Sequence, residues 1–179
     1  EGIEFEVCQP GAKVHPCMAC YHCLNNNTLR CVQADDGINE IIEKCIAADA
    51  IVLASPVYHG GIAGSMKCVM DRIMLAACCG ENQFHHKVGA ALCTLRRSGG
   101  METYRHLLGL MDAMEMVLVT SDYWNAVHGA EIGECKQDIE GVEVIEKLGR
   151  NIAWMLKVID KAGIAPPETH HRTMFNYIR

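Results

Sequence analysis

The 179-residue sequence has no run of eighteen apolar residues, so it offers no helix that could span a membrane. It also lacks an excess of positive charge: 16 Lys and Arg stand against 22 Asp and Glu, a formal net charge of -6. Nucleic-acid binding, which leaves a basic footprint, is therefore not expected. Internal repeats and low-complexity tracts are absent, which excludes a solenoid or a linker-like chain. What remains is ordinary globular material, half of it apolar, in an amount that suits one domain with a sizeable core.

Cysteine, by contrast, is abundant. Eleven are present, an odd number, alongside ten methionines and long helical patterns. A secreted disulfide scaffold is shorter and evenly numbered. The thiols therefore read as reduced, and a cytoplasmic setting is expected. Four of them, Cys17, Cys20, Cys23 and Cys31, fall in one short segment. The other seven are scattered through apolar runs, where cysteine serves as a small core residue. The adjacent Cys78 and Cys79, near a helix end, read as space-filling.

Strand and helix patterns alternate along the chain. Ile3 to Cys8 alternates apolar and polar residues, as an edge strand does. Asp35 and Asp36 supply a cap, and Ile38, Ile41, Ile42, Cys45 and Ile46 follow at helical spacing. Ala50 to Ala54 is apolar at every position, the pattern of a central parallel strand covered by helices on both faces. A helix from Met66 to Met74, a buried strand from Val88 to Leu95, a helix from Tyr104 to Met111 and a strand from Met116 to Thr120 come next. Val142, Ile145, Leu148, Ile152, Leu156 and Ile159 mark a long closing helix. This order predicts a doubly wound α/β sheet with ligands bound at the carboxyl ends of its strands. The expected organisation is one domain over residues 1–162, a cysteine-rich loop at 15–35 and an extended tail at 163–179.

The segments just after the strands carry the chemistry. Ser55-Pro56-Val57-Tyr58-His59-Gly60-Gly61 has a stiffening proline, glycines that let a ligand approach the backbone, and an aromatic surface. It suits a flat, polar-edged ring, or else it is a plain glycine-rich turn. Thr94-Leu95-Arg96-Arg97-Ser98-Gly99-Gly100 is a basic, glycine-bearing loop that opens a helix, either a cofactor contact or a solvated turn. Tyr123, Trp124 and His128 occupy another carboxyl-end position, to close over a ligand or simply to pack. In the cysteine segment, two-residue gaps let successive thiolates converge on one small inorganic core. Three equally spaced cysteines and a distal fourth fit an iron–sulfur cubane better than zinc, whose usual pattern is two separated pairs. A cluster, a zinc ion, uncomplexed thiols or a disulfide remain as alternatives. His22 reads as a neighbour of the cysteines rather than a ligand.

The Ser55–Tyr58 segment, with Lys67, Asp71 and Arg72 on the following helix, the Arg96–Gly100 loop and Asp138-Ile139-Glu140-Gly141, resembles the NADPH-dependent FMN reductase group of the flavodoxin superfamily. The cysteine segment resembles the compact motif of the iron–sulfur flavoproteins in that group. The resemblance implies a sheet of order 2-1-3-4-5 and FMN bordered by Ser55, Pro56, Val57, Tyr58, His59, Gly60, Thr94, Arg96, Ser98 and Gly99. It also implies a [4Fe-4S] cluster on Cys17, Cys20, Cys23 and Cys31, NAD(P)H as co-substrate, and a homodimer or homotetramer. With Ile3–Cys8 as strand two, strand one and its phosphate-binding turn are not in the sequence, and a further βα unit of about 30 residues upstream is expected. The function implied is an oxidoreductase that passes electrons through FMN to a small-molecule or protein acceptor, ferredoxin-like partners included. The alternatives are a flavin and iron–sulfur carrier without its own substrate, and a metal-binding α/β protein without flavin.

Overall fold

The computed structural model describes residues 1–77, 81–168, 173 and 177. Its elements are α1 (His22–Asn26), α2 (Ile38–Ala47), β1 (Ala50–Tyr58), β2 (Gly61–Ile62), α3 (Gly64–Ala77), β3 (Val88–Leu95), α4 (Gly100–Ala113), β4 (Val117–Leu118), β5 (Ala126–His128) and α5 (Ile139–Ala162). Cys78 and Cys79 lie outside the described residues, as does most of the tail beyond residue 168.

The sheet is built on one long parallel pair, β1 against β3, in register from Ala50↔Val88 to Pro56↔Thr94. Side chains alternate across it. Ile51 and Leu53 of β1 and Ala91 and Cys93 of β3 face a core closed by Ile38 and Ile42 of α2, Val69 and Ile73 of α3, and Leu107 and Met111 of α4. Val88 and Ala90 face the other way, onto Leu148 and Ile152 of α5. Each such buried aliphatic side chain contributes about 1.5–3 kcal/mol relative to exposure. The doubly wound α/β class expected from the strand–helix order is what the chain adopts.

Three details differ from expectation. β3 is covered on both faces, but β1 is fully covered on one only: on the other, Ala50 packs with the Val88–Leu148 cluster while Val52 is 45% exposed. Residues 3–8 form no strand, since a strand needs a partner edge and no described strand lies beside them. The strand expected at 116–120 is split. β4 pairs with the start of β3 (Val88↔Val117) and β5 with its end (Cys93↔Ala126 to Leu95↔His128), both parallel. Between them the chain leaves the ladder, and the side chain of the fully buried Asn125 donates to the Ala91 carbonyl at 3.0 Å, a bond the backbone would otherwise make.

The cysteine-rich loop is fastened at its neck. Arg72, on α3 and 1% exposed, donates to the carbonyls of His15 (3.3 Å) and Gln33 (2.7 Å) and to the carboxylate of Asp36. Asp36 also accepts the N–H of His15 (3.1 Å) and of Ile38 (3.4 Å), so it caps α2 as well. The Gln33 amide donates to the Pro16 carbonyl at 3.0 Å. One buried ion pair thus ties both ends of residues 15–35 to α2 and α3. Burial alone would raise the Asp36 pKa, but the bonds from Arg72, His15 and Ile38 outweigh it and hold the carboxyl below the usual range.

Removing one partner leaves the other charge buried. Arg72→Met is expected to cost about 3–5 kcal/mol in urea unfolding, and Arg72→Met with Asp36→Leu distinctly less than the sum of the singles. Folding lowers the Asp36 pKa, so its stabilisation is complete above the unfolded value near pH ~3.9 and drains away as pH falls through the lower folded value. Urea midpoints of Asp36→Asn and the wild type, measured across pH 2 to 6 in steps of about half a unit, should therefore converge at the acid end. Parallel curves at all pH would contradict this.

Candidate functional site at the carboxyl edge of the sheet

The strand that carries the first loop ends in a tight reversal. Tyr58 pairs with Gly61, and between them His59 (φ 49°) and Gly60 (φ 80°) are both left-handed, the two-residue turn that matches strand twist. Ser55 is buried and shapes this turn. Its Oγ accepts the Ala63 N–H at 3.0 Å and donates to the Pro56 carbonyl at 2.9 Å, binding the end of β1 to the start of α3. Tyr58 is exposed, and a Cβ placed on Gly60 or Gly61 would meet nothing within 4 Å. The rim here is open.

The second loop lies against the first. Gly99, the left-handed N-cap of α4 (φ 89°), is so close that a Cβ on it would stand 2.7 Å from Gly60 Cα and 2.9 Å from Val57 Cγ1. The structure therefore brings Val57 and Gly60 together with Gly99 on one rim, with their neighbours Pro56, Tyr58, His59 and Ser98 beside them. Thr94, Arg96 and Ser98 are exposed along the second loop. The result is a ledge rather than a slot, continuous across the ends of β1 and β3.

On its far side the second loop opens into a cavity of about 560 Å³. Ser98, Gly99 and Gly100 form one wall, Tyr123 and Trp124 another, and His128 and Asp138 a third. The two aromatic rings lean on each other with centroids 4.8 Å apart. Asn125 holds them there: besides its bond to Ala91, it accepts from Ser121 Oγ at 2.6 Å, and its backbone carbonyl receives the Cys93 N–H. The sequence marks Tyr123, Trp124 and His128 as a carboxyl-end group. Asp138 is marked there only within the Asp138–Gly141 segment, because nothing in a ten-residue separation reveals that it meets His128. Asp138 Oδ2 lies 2.7 Å from the His128 N–H and 3.2 Å from its Nδ1, while Oδ1 accepts the Gly141 N–H at 3.0 Å and caps α5. The backbone bonds from His128 and Gly141 hold the Asp138 pKa below the usual carboxylate range.

The cysteine loop is a separate feature. Cys23 is buried, Cys17 and Cys31 are half-buried and Cys20 is exposed. Ala19 (φ 50°) and Tyr21 (φ 54°) are left-handed on either side of Cys20, and the Ala19 N–H points to Cys17 Sγ at 3.5 Å. Asn39 accepts the Cys31 N–H at 2.7 Å and donates to its carbonyl at 2.9 Å. Among the described residues no group of three or more His, Cys, Asp or Glu side chains is gathered closely enough to hold a metal ion. His22 meets Asn26 instead. Of the remaining described cysteines, Cys93 is core and Cys45 is largely enclosed, its thiol pushed up to about 11 by burial, whereas Cys8 is exposed.

Contact between the loops is tight enough to test. Gly99→Ala is expected to cost about 1–3 kcal/mol in urea unfolding, because the added methyl meets backbone at a left-handed position. Gly61→Ala, which meets open space, should stay within about 0.5 kcal/mol of the wild type. Equal effects of the two would mean the loops are not packed as described.

Sequence comparison agrees with this architecture. The family profile described as NADPH-dependent FMN reductase matches residues 1–131. An iron–sulfur flavoprotein of Methanocaldococcus jannaschii is 33% identical over 90% of this chain and 85% of its own length. An iron–sulfur flavoprotein of Methanosarcina thermophila is 31% identical over 83% and 76%. Among solved structures, RosB with a bound 8-demethyl-8-formylriboflavin-5′-phosphate intermediate superposes with a TM-score of 0.61 at 12% identity, over 82% of this chain and 67% of that one, a likeness of fold. With a family profile spanning well over half its length and relatives above 30% identity along most of it, the chain belongs to the NADPH-dependent FMN reductase family, in its iron–sulfur flavoprotein group.

Proposed function

We propose that the chain is an FMN-dependent oxidoreductase that takes electrons from NAD(P)H or a reduced carrier and passes them to an acceptor. The observation that carries this reading is the contact of Gly99 with Gly60 and Val57 at the carboxyl ends of two parallel strands. That junction leaves an open, glycine-bearing ledge with an exposed tyrosine, where the glycines let a flat ring approach the backbone. Pro56, Val57, Tyr58, His59 and Gly60 would border the ring from β1, and Thr94, Arg96, Ser98 and Gly99 from β3. Ser55, whose hydroxyl is spent within the loop, would act by shaping it. When bound, FMN supplies the hydride and single-electron chemistry, and the protein supplies orientation and a local field.

The cysteine loop is proposed to hold a [4Fe-4S] cluster through Cys17, Cys20, Cys23 and Cys31. The donor chemistry fits: four cysteine side chains on one loop, with a backbone N–H already directed at one sulfur. Their present separation means that ligation requires the loop to close, while its neck at Arg72 stays fixed. The relatives' names, iron–sulfur flavoprotein, support the same assignment. A homodimer or homotetramer in the cytoplasm, serving small-molecule or ferredoxin-like partners, completes the reading. The cavity beside the ledge favours an enzyme over a pure carrier, which needs no ligand-sized space.

FMN titration of the full chain should quench flavin fluorescence to saturation at one equivalent per chain. NADH or NADPH should then bleach the bound flavin in stopped flow. Anaerobic addition of ferrous iron and sulfide should load about four irons per chain, and Cys20→Ser or Cys31→Ser should lose that iron while retaining FMN. Unsaturable quenching would overturn the flavin reading. Iron uptake unchanged by both cysteine variants would overturn the cluster.

A further inference from the structure

We propose that Arg72 is a positioning residue for the cysteine site: its guanidinium, facing the Cys31 sulfur, is a fixed countercharge that raises the reduction potential of a cluster held there. The inference rests on the assignment of Cys31 as a cluster ligand.

Three observations at the neck of the cysteine loop support it. First, Arg72 is the only buried cation among the described residues, and its hydrogen bonds leave one donor over. Nη1 and Nη2 donate to His15, Asp36 and Gln33, whereas the enclosed Nε–H has no acceptor among the described residues. A buried donor without a partner is costly, and a thiolate is the acceptor this one lacks. Second, Cys31 is held where the guanidinium can act on it. Asn39, itself buried, accepts the Cys31 N–H at 2.7 Å and donates to its carbonyl at 2.9 Å. Burial opposes the charge on Arg72, and Asp36 and the Cys31 sulfur sustain it. Gln33 brings a further donor, its Nε2 standing 4.0 Å from the same sulfur. Third, residues 9–34 contain Lys13 and Arg30 but no Asp or Glu, so the loop sets no carboxylate of its own against an anionic cluster.

Fastening the loop does not by itself call for a charge. Apolar side chains of similar volume often replace a buried ion pair without loss of stability, so the cation at this place points to an electrostatic use. Reduction brings one electron to the cluster, and no bond forms or breaks. Four thiolate ligands already make such a site anionic, and a cation with N–H groups beside a ligand sulfur stabilises the added negative charge. Asp36 acts in the opposite sense, cancelling part of the guanidinium field. Removing either member of the pair therefore moves the potential in opposite directions, which loss of packing does not do.

The test uses the full chain loaded anaerobically with ferrous iron and sulfide, titrated with dithionite as electron donor in the presence of mediator dyes. The EPR signal of the reduced cluster gives the midpoint potential. At a fixed potential Arg72→Met should cut the reduced-to-oxidised ratio about tenfold, a downward shift of about 59 mV for one electron. Asp36→Asn should shift the midpoint upward. Where Arg72→Met fails to fold, Arg72→Met with Asp36→Leu, which leaves no buried charge, takes its place and should sit below Asp36→Asn by about the same tenfold ratio. One midpoint common to the wild type and all iron-loaded variants, or shifts of one sign in Asp36→Asn and Arg72→Met, would overturn the role of Arg72 and leave the cluster reading intact. A wild type that takes up no iron would overturn the cluster reading, and this inference with it.

Discussion

A guanidinium and a carboxylate taken wholly out of water must satisfy each other or unfold what surrounds them. The Arg72–Asp36 pair meets that demand by recruiting the backbone of His15, Gln33 and Ile38 as further partners. The same atoms thus neutralise two buried charges, start α2 and close the neck of a twenty-residue loop that has little regular structure of its own. The Cys31 sulfur also faces the guanidinium; burial works to lower the Arg72 pKa, and the Asp36 and Cys31 contacts more than offset it. The fastening sits below the loop, in the core, where Cys23 also packs.

The carboxyl edge follows a second constraint, the twist of the parallel pair. β1 and β3 end side by side, so the loops leaving them must either diverge or pack, and a left-handed glycine at each contact point lets them pack. The interruption of the last strand adds the rest. Leaving the ladder after β4 and rejoining it at β5 frees residues to stand above the sheet, and the buried Asn125 replaces the hydrogen bond that the excursion would leave unmade. Ledge and cavity are consecutive consequences of how three neighbouring strands finish.

Much of this was legible beforehand, for reasons that are physical. β3 reads as buried because it is buried on both faces, and α2, α3, α4 and α5 read from their apolar spacing. The loops after β1 and β3 stood out because a proline, an aromatic and paired glycines have few other uses at strand ends. The illegible parts depend on distant partners. Ile3–Cys8 has the alternation of a strand, yet alternation states only which faces match, and hydrogen bonding needs a second edge. The split between β4 and β5 depends on a side-chain amide reaching another strand. The meeting of His128 and Asp138 depends on the short helical turn between them folding back. The cysteine spacing does not reveal where the four sulfurs rest, since Cys23 packs into the core while Cys20 stays exposed.

The bare margin of β1 has its own implication. Beyond the two-residue pairing with β2, its peptide groups on the side away from β3 meet no other strand among the described residues, and Val52 shows apolar surface beside them. Unpaired amides next to a hydrophobic face are adhesive, since an incoming extended segment would gain ladder bonds and bury side chains together. Wherever that margin is left open, crowding favours chain-to-chain zippering over orderly solution, and whatever strand covers it confers colloidal restraint as well as folding energy.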